Sequence, residues 1–359
     1  MRQQEEIIPG PPRRAESKGA ARIKNLRRQA RRRPQLVLLA LTLVLLLLVL
    51  ARVLLGNYTV TLPDFMSILG GETLDHARPA RFIVLSDKLP RAILGVLAGL
   101  AFGMGGAIFQ LLLRNPLASP DIIGISSGAS LGAVVAIAFW GASGFPVSLA
   151  AILAALAVAL LIMMLSTGAD GLGQRFILMG IALAALAGAA VNYLLAHMSS
   201  NSAQSAVMWM TGSLAGAHWK GIGLLALALG LILPWVLLLH QQLHALAVGE
   251  ELAHGLGLPV GLIRWTFIVL GVLLTALATA VTGPVAFLAF VSGPIARRLL
   301  GGSHSLLATG LVGASILVGA DFFAANYIPA GPLPVGVVTG ALGAPILIWL
   351  LVQAQKEGR

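Results

Sequence analysis

The side chains that could act as nucleophiles, metal ligands or nucleotide binders in this sequence are few. Gly124–Gly128 matches the G-x-S-x-G nucleophile elbow, which needs a preceding strand, whereas here it opens an apolar helix. His240 and His244 are one helical turn apart, but glutamine replaces the glutamate of H-E-x-x-H and no third ligand is evident. No G-x-x-x-x-G-K-[ST] motif is present to bind nucleotide phosphates. We therefore predict no catalytic residue, metal site or nucleotide site, so any energy from ATP must arrive through another subunit.

Two further patterns keep other functions open. The GASG stretch at Gly141–Gly144 resembles the serine motif of rhomboid intramembrane proteases, with His197 as the base, although such a dyad must meet at hydrogen-bond distance. Asp321 is almost the only ionisable residue inside the apolar runs, and ion-driven carriers place such groups in mid-membrane. A lone carboxylate packs helices as often as it relays protons. An ion-coupled secondary transporter and, more remotely, a protease are therefore the alternatives.

The elements that position these residues are membrane helices. Of 359 residues, 58% are hydrophobic and 10% charged, which excludes a soluble domain because so much apolar surface would face water. Lipid as solvent requires helices of roughly 20 apolar residues. Cysteine is absent, so no disulfide or thiolate site is available. Ten apolar runs predict an all-α polytopic protein: Leu36–Leu55, Ala92–Leu113, Ile122–Ala142, Val147–Leu165, Phe176–His197, Gly221–Leu239, Trp265–Ala280, Val285–Leu299, Leu306–Ala325 and Gly336–Val352.

The charge distribution predicts the orientation of these helices. Eleven of the 24 lysines and arginines lie within the first 33 residues, so the positive-inside rule places this tail in the cytoplasm. Ten spans then return the C-terminus to the same side of the cell inner membrane. We predict a disordered basic tail at residues 1–34, followed by one membrane domain at residues 35–355. A solvated topology anchor explains the tail better than an arm that binds nucleic acid.

Two segments outside the spans carry unusual residues. The predicted outer loop after the first span holds four cations, which suit either snorkelling beside headgroups or docking of an acidic partner. Charge alone does not separate these two interpretations. On the inner face, Ala247–Val260 predicts a short helix ended by Gly255, a tight turn, and a new helix from Pro259. Such a rigid, partly apolar protrusion suits insertion into a groove on a partner.

Small and polar residues predict how the bundle is built. Gly95, Gly99 and Gly103, and likewise Gly336 and Gly340, recur at four-residue spacing, which lets helix backbones approach closely. Ser119, Pro120 and Asp121 suit the N-cap and first turn of the third span, where an anion stabilises a helix start. Ala203 to Met210 forms a short amphipathic stretch that could gate the mouth of the bundle.

These segments together resemble the FecCD family, the permeases of ATP-binding-cassette importers for iron-siderophores and vitamin B12. The matching stretches run almost end to end and include RNPLASPDIIG, WMTGSLAG, AVGEELAHGLGLPV, GPVAFLAFVSGPIARR and LPVGVVTGALGAP. The resemblance implies a ten-helix bundle in two inverted halves. It also implies a second permease, two ATPase subunits that use ATP and Mg, and an extracytoplasmic substrate-binding protein. The cargo would be an iron(III)-siderophore or a related chelate such as haem or cobalamin.

The resemblance also assigns roles to particular residues. The inner protrusion would be the coupling segment that seats in the ATPase groove, through Gly249, Glu250, Glu251, Leu252, His254, Gly255, Leu256 and Gly257. Basic positions that dock the binding protein would be Lys88 and Arg91, with Arg78 and Arg81 as helpers. Spans five and ten and the short helix after span five would line and gate the pathway, through Met179, Asn192, Met208, Met210 and Thr339.

One departure from the family pattern concerns the second docking point. Many members carry an arginine four residues after the aspartate of GAD and a glutamate before LPVG. Here these positions hold Ala325 and Pro332. Because symmetric docking on two identical permeases would lack these contacts, the sequence favours one permease of a heterodimer, as in ferric-enterobactin-type systems.

Overall fold

The computed structural model describes residues 13–70, 78–166, 174–328 and 333–357, and within these ranges all regular structure is helical. A single π-helical turn, Val84–Lys88, joins α3 to α4. The α-helices are α1 (Arg13–Leu54), α2 (Leu62–Gly70), α3 (Arg78–Ile83), α4 (Leu89–Leu112), α5 (Ile125–Trp140), α6 (Phe145–Leu165), α7 (Gln174–His197), α8 (Ser200–Met210), α9 (Trp219–Val248), α10 (Glu250–Gly255), α11 (Val260–Thr282), α12 (Leu288–Leu299), α13 (Leu306–Asn326) and α14 (Val335–Glu357).

The all-helical prediction is confirmed, and each of the ten predicted runs falls on a helix. Seven segments of the described chain are long and apolar enough to cross a membrane. The other three runs correspond to α5, α12 and α14. The 16 residues of α5 span about 24 Å at the usual rise of an α-helix, and the 12 residues of α12 include Pro294 and end in Arg297 and Arg298. α5 and α12 are therefore shorter than a full span, whereas the 23 residues of α14 are long enough to form one.

The start of α1 differs from the predicted disordered tail. The helix begins at Arg13 and runs through Pro34 to Leu54 without interruption. Lysine, arginine, alanine and glutamine have high helix propensity, and adding turns to an existing helix requires no new nucleus. Residues 13–34 are thus part of α1 in this structure, while residues 1–12 lie outside the described part of the chain, and the division into a tail and a membrane domain stays a prediction.

Helix α4 packs closely in the middle of the bundle, because its glycines leave room for neighbouring backbones. A Cβ on Gly99 would lie 2.4 Å from the Ala314 Cα of α13, and one on Gly103 would lie 2.5 Å from the Thr309 carbonyl oxygen. On another face, a Cβ on Gly106 would lie 1.9 Å from the Ala289 carbonyl oxygen of α12. The predicted close approach does not extend to Gly340, which has no neighbouring atom within 4 Å of a built Cβ.

Three chain segments meet backbone to backbone where α8 ends. The Ser213 amide donates to the Thr282 carbonyl at 2.7 Å, and the Gly336 amide donates to the Gly212 carbonyl at 3.1 Å. Gly212 and Gly283 both have positive φ, of 70° and 72°, which glycine adopts without steric strain. This junction ties the end of α8 to the end of α11 and the start of α14, and it forms part of the wall of a cavity.

Candidate functional site

A cavity of about 590 Å³ opens between α5, α7, α12 and α14. One side of it is rich in hydroxyl groups, whereas the opposite side is apolar. No lysine, arginine or histidine contributes to the described lining, and the only acidic group there is Asp121. The hydroxyl side comprises Ser119, Ser126, Ser127, Ser130 and Thr211, and the apolar side includes Phe287, Phe290 and Leu347. The cavity therefore offers weak hydrogen bonds and little charge to a molecule that passes it.

Asp121 lies in the loop between α4 and α5 and does not cap α5 as predicted. The helix begins only at Ile125, after Gly124 with φ of 90°, so Ser119, Pro120 and Asp121 form the preceding turn. The Ser126 hydroxyl donates to Asp121 Oδ1, while Oδ2 is buried without a hydrogen-bond partner. Burial raises the pKa of Asp121 to about 6, against the opposing effect of the Ser126 hydrogen bond. Sequence reasoning missed this carboxyl group as a cavity residue, because its place on the wall depends on folding of the loop.

The five predicted pathway residues do not lie together. Asn192 and Met210 line the cavity. Met179 and Met208 are exposed on α7 and α8 but are not part of the cavity wall. Thr339 is buried, and its hydroxyl donates to the Gly336 carbonyl at 3.1 Å. Its polar atom is therefore used within α14, and Thr339 does not line this cavity.

The predicted coupling segment forms the short helix α10. Its Ala253 is fully buried, and the Leu258 amide donates to the Ala253 carbonyl at 3.0 Å, which closes the turn after the helix. Gly257 holds that turn with φ of 74°. Outward, Leu252 is 51% exposed and Leu256 is 63% exposed, and Glu251, His254 and Gly255 are also exposed. The segment is thus a fixed protrusion with two apolar side chains at its surface.

Two arginines that sequence reasoning missed hold this protrusion in place. Arg264 of α11 forms an ion pair with Glu250 at the start of α10. Arg114 follows α4 with φ of 48°, and its Nη2 donates to the Leu246 carbonyl at 3.1 Å near the end of α9. The Glu250 carboxylate is therefore partly occupied within the chain and is not a free outward group as predicted. Glu251 remains the exposed carboxylate of α10.

The predicted docking patch at the opposite end of the bundle loses Lys88. Its residue surface is only 5% exposed, and its Nζ donates to the carbonyl oxygens of Val53 at 3.1 Å and Leu55 at 2.8 Å, and also to that of Tyr58. The carbonyl groups at a helix C-terminus lack intrahelical donors, and a buried ammonium group satisfies several of them. Lys88 therefore closes the end of α1, and in this structure its ammonium group is enclosed rather than exposed as docking would require.

The other three cations of the patch have different environments. Arg81 is exposed on α3, next to the exposed ring of Phe82. The Arg91 Nε lies 2.8 Å from Asp87 Oδ1, so part of its charge is compensated locally. α3 begins at Arg78, whose side chain is outside the described part. Among the described side chains of the patch, Arg81 is therefore the most accessible cation, and Arg91 contributes less.

Asp321 is also paired within the chain. Arg52 Nε lies 2.6 Å from Asp321 Oδ2, with both side chains almost completely buried between α1 and α13. An opposite charge at this distance stabilises the ionised carboxylate. This arrangement gives Asp321 a structural partner and weakens its candidacy as a proton relay.

The serine and histidine motifs do not form catalytic constellations. The His197 ring stacks on Tyr193 at 4.3 Å, and its Nδ1 lies 2.8 Å from the Tyr193 carbonyl oxygen. Ser143 is in the exposed loop between α5 and α6, and Ser126 lies in the first turn of a helix and donates to Asp121. No cluster of three or more histidine or acidic residues in the described ranges could hold a metal ion.

Residues 43–353 match the FecCD transport family, and the chain therefore belongs to this family. Among its relatives is the Fe(3+)-citrate import system permease protein YfmE of Bacillus subtilis, 35% identical over 91% of this chain and 98% of that protein. The ferric enterobactin transport system permease protein FepG of Escherichia coli is 36% identical over 82% of this chain and 88% of that protein. A metal-chelate type ABC transporter solved in an inward-facing conformation has a TM-score of 0.77 and 26% identity, over 89% of this chain and 99% of that one.

Proposed function

We propose that this chain is the membrane permease subunit of an ATP-binding-cassette importer that carries an iron(III)-siderophore or a related chelate, such as haem or cobalamin. The observation that carries the proposal is α10, whose apolar Leu252 and Leu256 protrude while Arg264 and Arg114 fix its base. A chain without a nucleotide-binding motif needs such a contact to receive energy. The import functions of YfmE and FepG support the choice of cargo class.

The α10 end would face the cytoplasm and contact two ATPase subunits, which use ATP and Mg. The chain itself carries no cofactor and catalyses no reaction in this proposal. Nucleotide binding would close the ATPases and move α10, and the bundle would shift between two packings because each favours a different ATPase state. The weakly polar cavity beside Ser126 and Phe287 would pass a bulky chelate without holding it.

The α2 and α3 end would face away from the cytoplasm and receive an acidic substrate-binding protein at Arg81 and Arg91. The basic residues before the first membrane span support this orientation in the cell inner membrane, with both termini cytoplasmic. A second permease would complete the pathway. Because Ala325 and Pro332 replace the charged residues of the family pattern, we propose a heterodimer over a homodimer.

The proposal is tested by reconstituting the chain with its partner subunits in proteoliposomes and measuring ferric chelate uptake. Leu252→Glu combined with Leu256→Glu should lower ATP-driven uptake and ATPase co-purification by about tenfold or more, since both apolar anchors are lost. Ser303→Glu is the matched control, because it adds a charge to an exposed loop at the same end of the bundle. It should leave both measurements unchanged.

The same assay separates the alternatives. Uptake that is independent of ATP and driven by a proton gradient would favour a secondary transporter. Cleavage of a membrane peptide would favour a protease. Normal coupling in the double glutamate variant would remove α10 from the energy path.

A further inference from the structure

Two adjoining hollows lie at the α10 end of the bundle, and neither has a role in the proposed transport cycle. The first, of about 230 Å³, lies between the ends of α4 and α9 and the side of α12. The second, of about 490 Å³, lies between α9 and the start of α13. His304, in the loop between α12 and α13, lines both hollows.

The first hollow is positively charged and rich in hydrogen-bond donors. Arg114 and Arg297 both line it, together with the Asn115 amide, and its described lining contains no carboxylate. One N–H group of Arg114 donates to the Leu246 carbonyl oxygen. The Arg297 side chain has no ion-pair or hydrogen-bond partner within the described ranges, although its backbone carbonyl accepts from the Gly302 amide at 2.8 Å. Two guanidinium groups without a counter-charge favour an anion that accepts several hydrogen bonds, as a phosphate does.

The second hollow is lined by leucines of two helices together with polar side chains. Leu237 of α9 and Leu306 and Leu307 of α13 line it, and Leu307 is exposed beside it. Both helices are long and apolar enough to cross a membrane, so this surface is suited to contact with lipid chains. His240 and His244 of α9 also line this hollow, and His244 Nε2 lies 3.3 Å from the His304 carbonyl oxygen.

We propose that these two hollows form a single lipid groove that binds one anionic phospholipid from the leaflet at the α10 end. The phosphate lies between Arg114 and Arg297, and an acyl chain lies along Leu237 and Leu307. Leucines in one hollow and guanidinium groups in the other, with His304 lining both, match the acyl chain and the headgroup of such a lipid. Free phosphate would use the cationic hollow alone. The inference concerns binding and does not depend on which chelate is carried.

His304 provides a readout within the groove that needs no substitution. Burial, then the positive charges of Arg297 and His244, lower the pKa of His304. His240 is the other titratable group at this wall. A phosphate bound between the arginines adds a negative charge nearby and should raise the pKa of His304. Titration of the full-length chain by NMR, in nanodiscs of phosphatidylglycerol with phosphatidylcholine or of phosphatidylcholine alone, measures this change. An unchanged pKa would overturn the proposal.

Native mass spectrometry of the detergent-purified chain with equal amounts of the two lipids gives the second test. We expect the wild type to retain phosphatidylglycerol over phosphatidylcholine by about tenfold, and Arg297→Gln to lose this preference. Arg298→Gln is the matched control, since its guanidinium carbon lies 4.6 Å from the Trp349 ring centroid and the residue does not line the groove. Leu307→Trp should fill the apolar half and release the lipid while both arginines remain.

The remaining outcomes identify what else could occupy the groove. Inorganic phosphate that raises the pKa of His304 without any lipid preference would assign the cationic hollow to a free anion and overturn the lipid. Equal retention of phosphatidylglycerol by the wild type, Arg297→Gln and Leu307→Trp would place the bound lipid elsewhere on the protein.

Discussion

Arg52 and Asp321 form a buried ion pair across 269 positions of sequence, with Arg52 Nε 2.6 Å from Asp321 Oδ2. The two residues join the first long helix, α1, to α13. The Nη2 atom of Arg52 is also buried and has no hydrogen-bond partner. The carboxylate is thus the main counter-charge of a cation that has no access to water.

Removing one member of this pair should destabilise the protein more than removing both. Asp321→Ala leaves Arg52 buried without its partner, which costs about 3–5 kcal/mol. Arg52→Met with Asp321→Leu should cost much less, because no isolated charge remains. Thermal unfolding in detergent of Arg52→Met, of Asp321→Leu and of the variant that combines them measures the coupling between the two residues. Additive losses, with the double variant losing as much as the two single variants together, would show that the pair contributes nothing. Loss of transport with intact stability would return Asp321 to a relay role.

Replacing Lys88 should affect folding before it affects docking. Lys88→Met leaves three carbonyl oxygens at the end of α1 without their donor, and we expect a loss of about 1–3 kcal/mol of stability. Arg81→Glu is the matched comparison on the exposed surface. It should leave unfolding unchanged and weaken binding-protein affinity most at low salt, where exposed charges are least screened. If Lys88→Met instead weakened binding-protein affinity and left stability unchanged, Lys88 would again belong to the docking patch.

Exchanging the charges of Glu250 and Arg264 tests whether the pair braces α10. Each single reversal places like charges together, and both should reduce ATP-driven uptake. The double variant Glu250→Arg with Arg264→Glu should recover most of it, with a coupling of about 0.5–3 kcal/mol in unfolding experiments. No recovery in the double variant would indicate that Glu250 itself contacts the ATPase. Glu251→Arg should not be rescued by Arg264→Glu, because Glu251 is exposed and unpaired with Arg264.

Asp121 should make stability depend on pH in the acidic range. Its pKa is about 6 in the folded chain against 3.8 for an ordinary aspartate, so the folded state binds the proton more tightly. The stabilisation from protonated Asp121 is complete below pH 3.8 and is lost as the pH rises to about 6. Asp121→Asn should flatten this part of the unfolding profile, while Asp64→Asn, in exposed α2, serves as the control. If the pH dependence of unfolding were the same in Asp121→Asn as in the wild type, Asp121 would not be its cause.

Filling the space at Gly106 should damage the packing of α4. A Cβ there would lie 1.9 Å from the Ala289 carbonyl oxygen, a backbone atom that cannot move aside alone. Gly106→Ala should therefore cost about 1–3 kcal/mol or more. Gly223→Ala in α9 is the matched control, since no atom lies within 4 Å of its built Cβ, and it should be neutral or slightly stabilising. Equal behaviour of the two variants would contradict close contact between α4 and α12.

The sequence alone determined the membrane helices and α10. Apolar runs such as Leu306–Ala325 can hardly be anything but helices in lipid, where backbone groups have no water to bind. Local signals also located α10, since Gly255 and Pro259 end one helix and start the next. These features depend on residues a few positions apart, which is why the sequence was sufficient.

Only the tertiary structure decided which polar groups are available to a ligand or partner. The sequence placed Lys88 in a basic outer loop, but the fold encloses it beneath the end of α1. Likewise, Glu250 meets Arg264, Asp321 meets Arg52, and Asp121 turns to the cavity through the loop before α5. A charged group in a low-dielectric interior requires a partner close in space, and helix packing brings together partners that are distant in the chain.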